Sequence, residues 1–446
     1  MPGVPQEADL LLTDGYVLTM NRGKDHLVEG AVAIKGDRLV GVGDAATLKA
    51  KFRASKVIPC PDAVIMPGLV NAHTHETLTR GLAEDLPLMR WLEEICYPIE
   101  RAYSPQDIRA AALMNQLEMV RGGITSFIDI FRFGDVAAGV AQQSGLRAIF
   151  SPQIIDAFAS FGESLVRTEE LIGEWHGRCE GRIQVWVGPH ATYSNSPDTY
   201  RQARRLADKY GVGVHTHLAE TLDEVRFVKD NYGKTPVQHL YELGVFEGPT
   251  LAAHGVHLTE EDVGILARRG VGMAYNPTSN AKMAAGVAPI PELLGAGVKV
   301  GLGTDSNLSN NNLDMFEEMR MGSYLQKLTR RDAGSLPCYR MLEMATVGSA
   351  AALGMEQEVG SLEVGKKADV IVVSLRAPHL WPVYTGGPDN VAEQLVYSAG
   401  AADVVTTIVD GRVLMEGGKT LTIDQEEAFY EVRRAARSLY ERSFRQ

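Results

Sequence analysis

Residues 66–75 read MPGLVNAHTH. An apolar run, Val64-Ile65-Met66, passes through Pro67-Gly68 into Leu69-Val70. Asn71 and Ala72 follow, and then the pair His73 and His75. Side chains alternate faces along a strand, so histidines at i and i+2 point the same way. Two imidazoles on one face at a strand end can bind one metal ion together. A single His-x-His can equally be a polar strand end, because a short motif is only a hypothesis. How the rest of the chain answers it decides between the two.

Working outward, this stretch is the first of eight short apolar runs. The others are 123–129 (GITSFID), 147–154 (RAIFSPQI), 182–191 (RIQVWVGPHA), 213–220 (GVHTHLAE), 249–257 (PTLAAHGVH), 270–276 (GVGMAYN) and 297–305 (GVKVGLGTD). Amphipathic stretches such as 105–121 and 197–210 lie between them. Strand-like runs alternating with helix-period stretches are the pattern of βα units around a parallel sheet. Eight units predict an α/β fold of the (β/α)8, TIM-barrel type; a doubly wound sheet, the alternative, usually has fewer parallel strands.

The two ends differ from the middle. Residues 8–19 and 31–43 read as hairpins around Asp14-Gly15 and Gly36-Asp37. Residues 369–375 and 404–415 are strand-like, with Asp410-Gly411 as a further turn. We therefore expect a small β-sandwich domain built from residues 1–65 and 366–446, flanking a barrel of residues 66–365.

At 446 residues the chain can bury a sizeable core, and 45% hydrophobic with 22% charged residues is ordinary for a globular protein. A net charge of -12 argues against nucleic acid and anionic membranes as partners. No apolar run is long enough to span a bilayer, and MPGVPQEADL lacks the basic start and apolar stretch of a signal peptide. Cys60, Cys96, Cys179 and Cys338 form no CxxC pair and read as reduced thiols. The expectation is a cytoplasmic protein.

In barrels of this type the active site sits at the C-terminal ends of the strands. The reactive side chains of this chain fall there. His73 and His75 end the first run, His190 the fourth, His217 and Glu220 the fifth, His254 and His257 the sixth, and Asp305 the eighth. Three imidazoles and a carboxylate with an open position suit a divalent transition metal. We assign His73, His75, His217 and Asp305. His215 competes on the fifth run, but His217 is nearer its end and Glu220 follows by three. A two-metal hydrolase of this type would need a bridging ligand, often a carboxylated lysine on the fourth run. That run has no lysine, so one ion is expected.

A bound metal lowers the pKa of its water toward neutrality and makes hydroxide available. Asp305 could ligate the ion and accept the water's proton. Glu220 could shuttle a proton to substrate, and His254 could orient the attacking oxygen. The outcome would be attack on an sp² carbon and loss of a leaving group. His26, His176, His239, His257 and His379 are expected to be surface or structural.

With these motifs in place, the chain resembles the amidohydrolase superfamily, and within it the chlorohydrolase/aminohydrolase group. The resemblance covers nearly the whole length. It is carried by PGLVNAHTH, RGLAEDLPLMRWL (80–92), HTHLAET (215–221), LAAHGVHL (251–258), NPTSNAKMAAGVAPIPELL (276–294), GLGTDSNLSNNNLDMFEEM (301–319) and GSLEVGKKADVIVV (360–373). It implies a metal-dependent (β/α)8 hydrolase with zinc or iron, zinc first, and a cytosolic homodimer or homotetramer. Within the group the chain is most similar to the S-adenosylhomocysteine/5′-methylthioadenosine deaminases. Glu100 matches a family glutamate that contacts the nucleoside, and His190 a substrate-binding histidine. The chain departs from that family on and after the third run, where arginines hold the ribose and tail. Here the sequence has Pro152 and, over 157–165, AFASFGESL.

The expected activity is therefore deamination of an aminated heteroaromatic ring, an adenine nucleoside such as 5′-methylthioadenosine, S-adenosylhomocysteine or adenosine, with Glu100, His190 and Glu220 at the substrate. One rival is an s-triazine or other xenobiotic hydrolase, whose members tend to lack the histidine at position 190. The other is a non-catalytic binding protein, which should have lost metal ligands; all four are present.

Overall fold

The computed structural model describes residues 5–444 apart from 83, 87, 158–161 and 386–387. Two of these fall in the 80–92 motif, and four in the 157–165 stretch, so those parts of both readings lie outside the described residues.

The opening stretch forms two strands, Ala63–Pro67 and Leu69–His75, parted at Gly68. A Cβ on Gly68 would sit 2.0 Å from Thr125 Oγ1, so glycine lets the neighbouring strand approach there. The first strand joins a sheet made by the chain termini, and the second enters the centre.

In the centre Leu69–His75 pairs in parallel with Ile124–Asp129, that strand with Arg147–Phe150, and that with Ile183–Val185. Farther along the same runs, Gln153–Ile154 pairs with Gly188–Pro189. Val187 bridges to Val214, and His217 N donates to the His190 carbonyl at 2.9 Å, which carries the pairing to Val214–Leu218. Thr250–His254, Gly272–Tyr275 and Val300–Leu302 follow in parallel. The eighth run ends in Asp305–Ser306, which pairs with Thr74 and His75 of the first. All of Leu69–His75 is buried. Parallel strands covered on both faces read as continuous apolar runs rather than alternating ones, which is why the eight were visible.

The helices between them begin and end where the sequence places caps. Ser104 and Asp107 form a capping box ahead of Pro105–Arg121. Ser196 caps Pro197–Tyr210, which stops at Gly211 with φ 67°. Among the described residues no helix is long and apolar enough to cross a membrane.

The terminal segments form one connected sheet of nine strands. Gly36-Asp37 does join two strands, His26–Lys35 and Arg38–Asp44. Asp410-Gly411, both left-handed at φ 47° and 72°, joins Val404–Val409 to Arg412–Glu416 as a tight hairpin. Asp14-Gly15 does not turn the chain. It is a bulge within Gln6–Leu18, with Asp14 at φ 63°. A left-handed residue serves a bulge as well as a turn, so the dipeptide alone could not tell them apart. Here the bulge switches partners: before it the strand pairs with Phe52–Pro59, after it with Val64 and Ile65.

The two parts are tied by charge. Arg147, at the start of the third run, donates to Asp369 at 3.0 and 3.2 Å and to Asp410 at 2.6 Å, with all three side chains under 10% exposed. The final helix, Gln425–Phe444, falls within the terminal unit expected from the sequence, yet it lies along Pro105–Arg121. Arg121 reaches Gln425 at 2.8 Å, and Arg442 reaches the Ala102 carbonyl at 3.2 Å.

Candidate metal centre and catalytic pocket

Five of the side chains singled out above meet at the C-terminal ends of the parallel strands. Donor atoms of His73, His75 and Asp305 lie within 4.8 Å of one another, as do those of His73, His217 and His254. His75 Nε2 is 3.2 Å from His217 Nε2, and Asp305 Oδ1 is 3.3 Å from His75 Nε2 and 3.5 Å from His73 Nε2. His190 and Glu220 line the same cavity.

The donor set suits a divalent ion. His73 Nε2 is buried with no hydrogen-bond partner. His217 Nδ1 donates to the His190 carbonyl at 2.8 Å, which leaves the lone pair on Nε2. Burial pushes His73 down to about 3, and both His215 and His217 well below the ordinary imidazole value. These rings are therefore neutral and can donate lone pairs. Burial alone would raise Asp305, but the close approach of the His73 and His75 rings outweighs it and holds the carboxyl well below its usual range. Neutral His73 and His217 beside an ionised carboxylate suit a divalent transition metal, while that carboxylate outweighs burial at His75 and raises it above the ordinary imidazole value. His215 lies outside the cluster. It is fully buried, and its Nε2 is engaged with His73 Nδ1 at 2.9 Å.

Two of the reactive residues, and Ala219 beside Glu220, have a backbone conformation that side chains rarely adopt. Ala219 (φ 50°), His254 (φ 77°) and Asp305 (φ 59°) are all left-handed. Neighbours fix the side chains of His254 and Asp305. Asn280 Nδ2 lies 2.9 Å from His254 Nδ1, Ser306 N donates to Asp305 Oδ1 at 2.7 Å, and Ser279 Oγ donates to Oδ2 at 2.5 Å. With the amide donating to Nδ1, the His254 proton sits on Nε2, which has no other partner and faces Glu220 Oε2 at 3.9 Å. Glu220 is raised above the ordinary carboxylate value, chiefly by burial.

Glu100 lines this cavity too, together with His190. Glu100, on Tyr97–Ala102, is pushed up to about 7 by burial, and its Oε2 has no partner. The His190 ring lies 4.6 Å from that of His217, and its Nδ1 meets Ser194 Oγ at 2.8 Å. His257 is off the cavity and bonds the Ala285 carbonyl at 2.9 Å. His26, His176, His239 and His379 do not line it either.

Several neighbours carried no sequence signal of their own. Asn276, Ser279 and Asn280 sit inside the quoted 276–294 motif, where nothing about residue type distinguished them as partners of His254 and Asp305. Gln153, Trp91, Phe131 and Tyr193 line the cavity and looked like ordinary strand or helix residues. An arginine also lies between the second and third runs. Arg132, just beyond Ile124–Asp129, donates to the Glu100 carbonyl.

The chain is similar to known proteins over nearly its whole length. The model of the amidohydrolase family matches residues 64–414. The chain is 42% identical to the 5-methylthioadenosine/S-adenosylhomocysteine deaminase of Desulforamulus reducens over 432 residues, covering 96% of this chain and 98% of that protein. Among solved structures, it resembles an adenosine deaminase from Xanthomonas campestris with bound zinc, with TM-score 0.93 and 35% identity, covering 98% of this chain and all of the other. It also resembles the zinc complex of atrazine chlorohydrolase from Arthrobacter aurescens, with TM-score 0.87 and 25% identity, covering 96% and 99% of the two chains.

Proposed function

The chain belongs to the amidohydrolase family, and on that premise we propose that it hydrolyses the C–N bond of an aminated heteroaromatic ring and releases ammonia. The substrate class is an adenine nucleoside such as 5′-methylthioadenosine, S-adenosylhomocysteine or adenosine. The observation that carries this is one cavity lined by Glu220, His254 and Asp305 together with Glu100 and His190.

His73, His75, His217 and Asp305 would hold one divalent ion per chain, zinc before iron. Such an ion supplies Lewis acidity, which makes water acidic near neutral pH. The protein groups supply the rest. Asp305, kept ionised, accepts a proton from the attacking water. Glu220, raised by burial, carries a proton to the ring nitrogen beside the reacting carbon. His254 presents Nε2–H to the oxygen on which charge develops. The carbon becomes tetrahedral, the C–N bond breaks, and the amino group leaves as ammonia once protonated. Glu100 and His190 hold the nucleoside.

The same reading extends to the architecture. The ring of parallel pairings is taken as a (β/α)8 barrel of residues 66–365. The branched terminal sheet is taken as a β-sandwich unit of 1–65 and 366–446. Its support is an apolar cluster that joins Leu12, Val32 and Ile34 from one end of the chain to Val370, Val372 and Ile408 from the other. A cytoplasmic homodimer or homotetramer rests on the family resemblance.

The test is ammonia release by purified, metal-loaded enzyme from adenine nucleosides, pterins, guanine-like bases and aminated triazines. Ammonia from an adenine nucleoside is the expected result. Turnover confined to a non-aromatic amide or urea would overturn the reading.

A further inference from the structure

Besides His254, three side chains that line the cavity hold buried polar atoms with no partner: Gln153 Oε1, Trp91 Nε1 and Glu100 Oε2. Buried polar groups are normally hydrogen-bonded, so unpaired ones converging on a pocket point to a ligand. Gln153 is the most constrained. It is 2% exposed. Its backbone N bonds the Phe131 carbonyl at 2.9 Å, and its own carbonyl accepts from Glu163 N at 2.8 Å. The strand Gln153–Ile154 is paired to Gly188–Pro189, next to His190. With the backbone so fixed, the carboxamide lines the cavity and is presented to whatever fills it.

Charge narrows what that is. Among the described residues that line the cavity, none is lysine or arginine. The nearby Arg132 gives a guanidinium N–H to the Glu100 carbonyl and lies 4.9 Å over the Phe133 ring. A carboxamide both donates and accepts, and so complements a hydroxyl group. A carboxylate is held well only by a charged or multiple donor.

We propose that Gln153 is a specificity-determining residue that hydrogen-bonds a sugar hydroxyl of an uncharged nucleoside, in a pocket that disfavours a nucleoside with a charged tail. The inference rests on the deaminase reading above.

The experiment measures kcat/KM by ammonia release for adenosine, its 2′-, 3′- and 5′-deoxy analogues, 5′-methylthioadenosine and S-adenosylhomocysteine. It uses the metal-replete wild type with Gln153→Leu, Gln153→Arg and the isosteric Gln153→Glu, each checked for metal content and thermal unfolding. Wild type should favour adenosine over S-adenosylhomocysteine by about tenfold or more, and Gln153→Leu should lose about tenfold on adenosine, mainly through KM. At least one deoxy analogue should be no worse in Gln153→Leu than in wild type, which identifies the hydroxyl. Gln153→Arg should raise the ratio for S-adenosylhomocysteine against adenosine about tenfold, and Gln153→Glu should lower it. Equal wild-type turnover of adenosine and S-adenosylhomocysteine would overturn the inference. So would a Gln153→Leu loss spread evenly over adenosine and all three deoxy analogues, or Gln153→Arg and Gln153→Glu variants with unchanged ratios. No ammonia from any nucleoside with the wild type would instead overturn the deaminase reading.

Discussion

Glu220→Gln isolates the proton carrier. The change keeps the shape of the side chain and removes only the ability to exchange a proton. Glu220 is outside both groups of converging metal-type donors, so the centre should load as before. Its backbone N stays bonded to Glu224 Oε2 at 2.9 Å, and its side chain is 13% exposed and faces His254, so the fold has little reason to change. A positioned acid–base group contributes about 10²–10⁴ in rate, or roughly 3–5.5 kcal/mol at about 1.4 kcal/mol per decade. The expected result is a kcat at least about a hundredfold lower with metal content and unfolding temperature unchanged. The pH profile gives a second reading. Burial raises Glu220, so wild-type turnover should fall on the alkaline side as that carboxyl gives up its proton. The glutamine variant should lack this limb. A metal-replete Glu220→Gln enzyme within a few-fold of wild type, or one that keeps the limb, would refute the assignment.

Elemental analysis should find about one divalent ion per chain, the stoichiometry of a single catalytic centre. His217→Asn should lose it while His257→Asn, outside the cluster, keeps it; two ions in a bridged pair would count against the assignment. Arg147→Met leaves buried Asp369 without its cation and Asp410 with only the longer pairs to Arg182 and Lys367, at a cost of about 3–5 kcal/mol. A calorimetric unfolding temperature lowered by less than about a degree would contradict that cost. Glu318 is pushed up to about 8 by burial and so binds its proton more tightly folded than unfolded. Its contribution to stability is then complete below the ordinary value of about 4.5 and is lost as pH rises toward about 8. Unfolding temperature should decline across that interval, and less steeply in Glu318→Gln.

The central strands and the positions of the reactive residues were legible for a common reason. Burial on both faces makes each strand a continuous apolar run, and the chemistry is placed where the run ends. His73 and His75 were visible because a two-residue spacing on a strand forces a shared face. Hydrogen-bonding partners drawn from loops and neighbouring strands were not legible. Asn280 and Ser279 meet His254 and Asp305 only through the tertiary arrangement, and Gln153 has nothing in its local sequence to set it apart from any other strand glutamine. The Asp14-Gly15 bulge was misread because its left-handed backbone is a local property, whereas whether the chain turns depends on the strand it next pairs with. The left-handed backbone at Ala219, His254 and Asp305 had little sequence signal, since glycine, the usual sign of that conformation, is absent from all three positions, and histidine and aspartate are only a weak sign of it.

The strand that leads directly into His73, Ala63–Pro67, is flanked on one side by Val370–Ser374, some three hundred residues later in the chain. Arg147 waits similarly for Asp369 and Asp410. During vectorial synthesis, then, the ribosome has released most of the catalytic half before the element that closes its base exists. Until residues near 410 emerge, an apolar edge and a buried-to-be guanidinium face solvent, and such an edge is a template for pairing with other nascent chains. Fragments ending short of that point should collect as aggregates rather than as small active enzymes, and completion of the active centre is timed by the far end of the message.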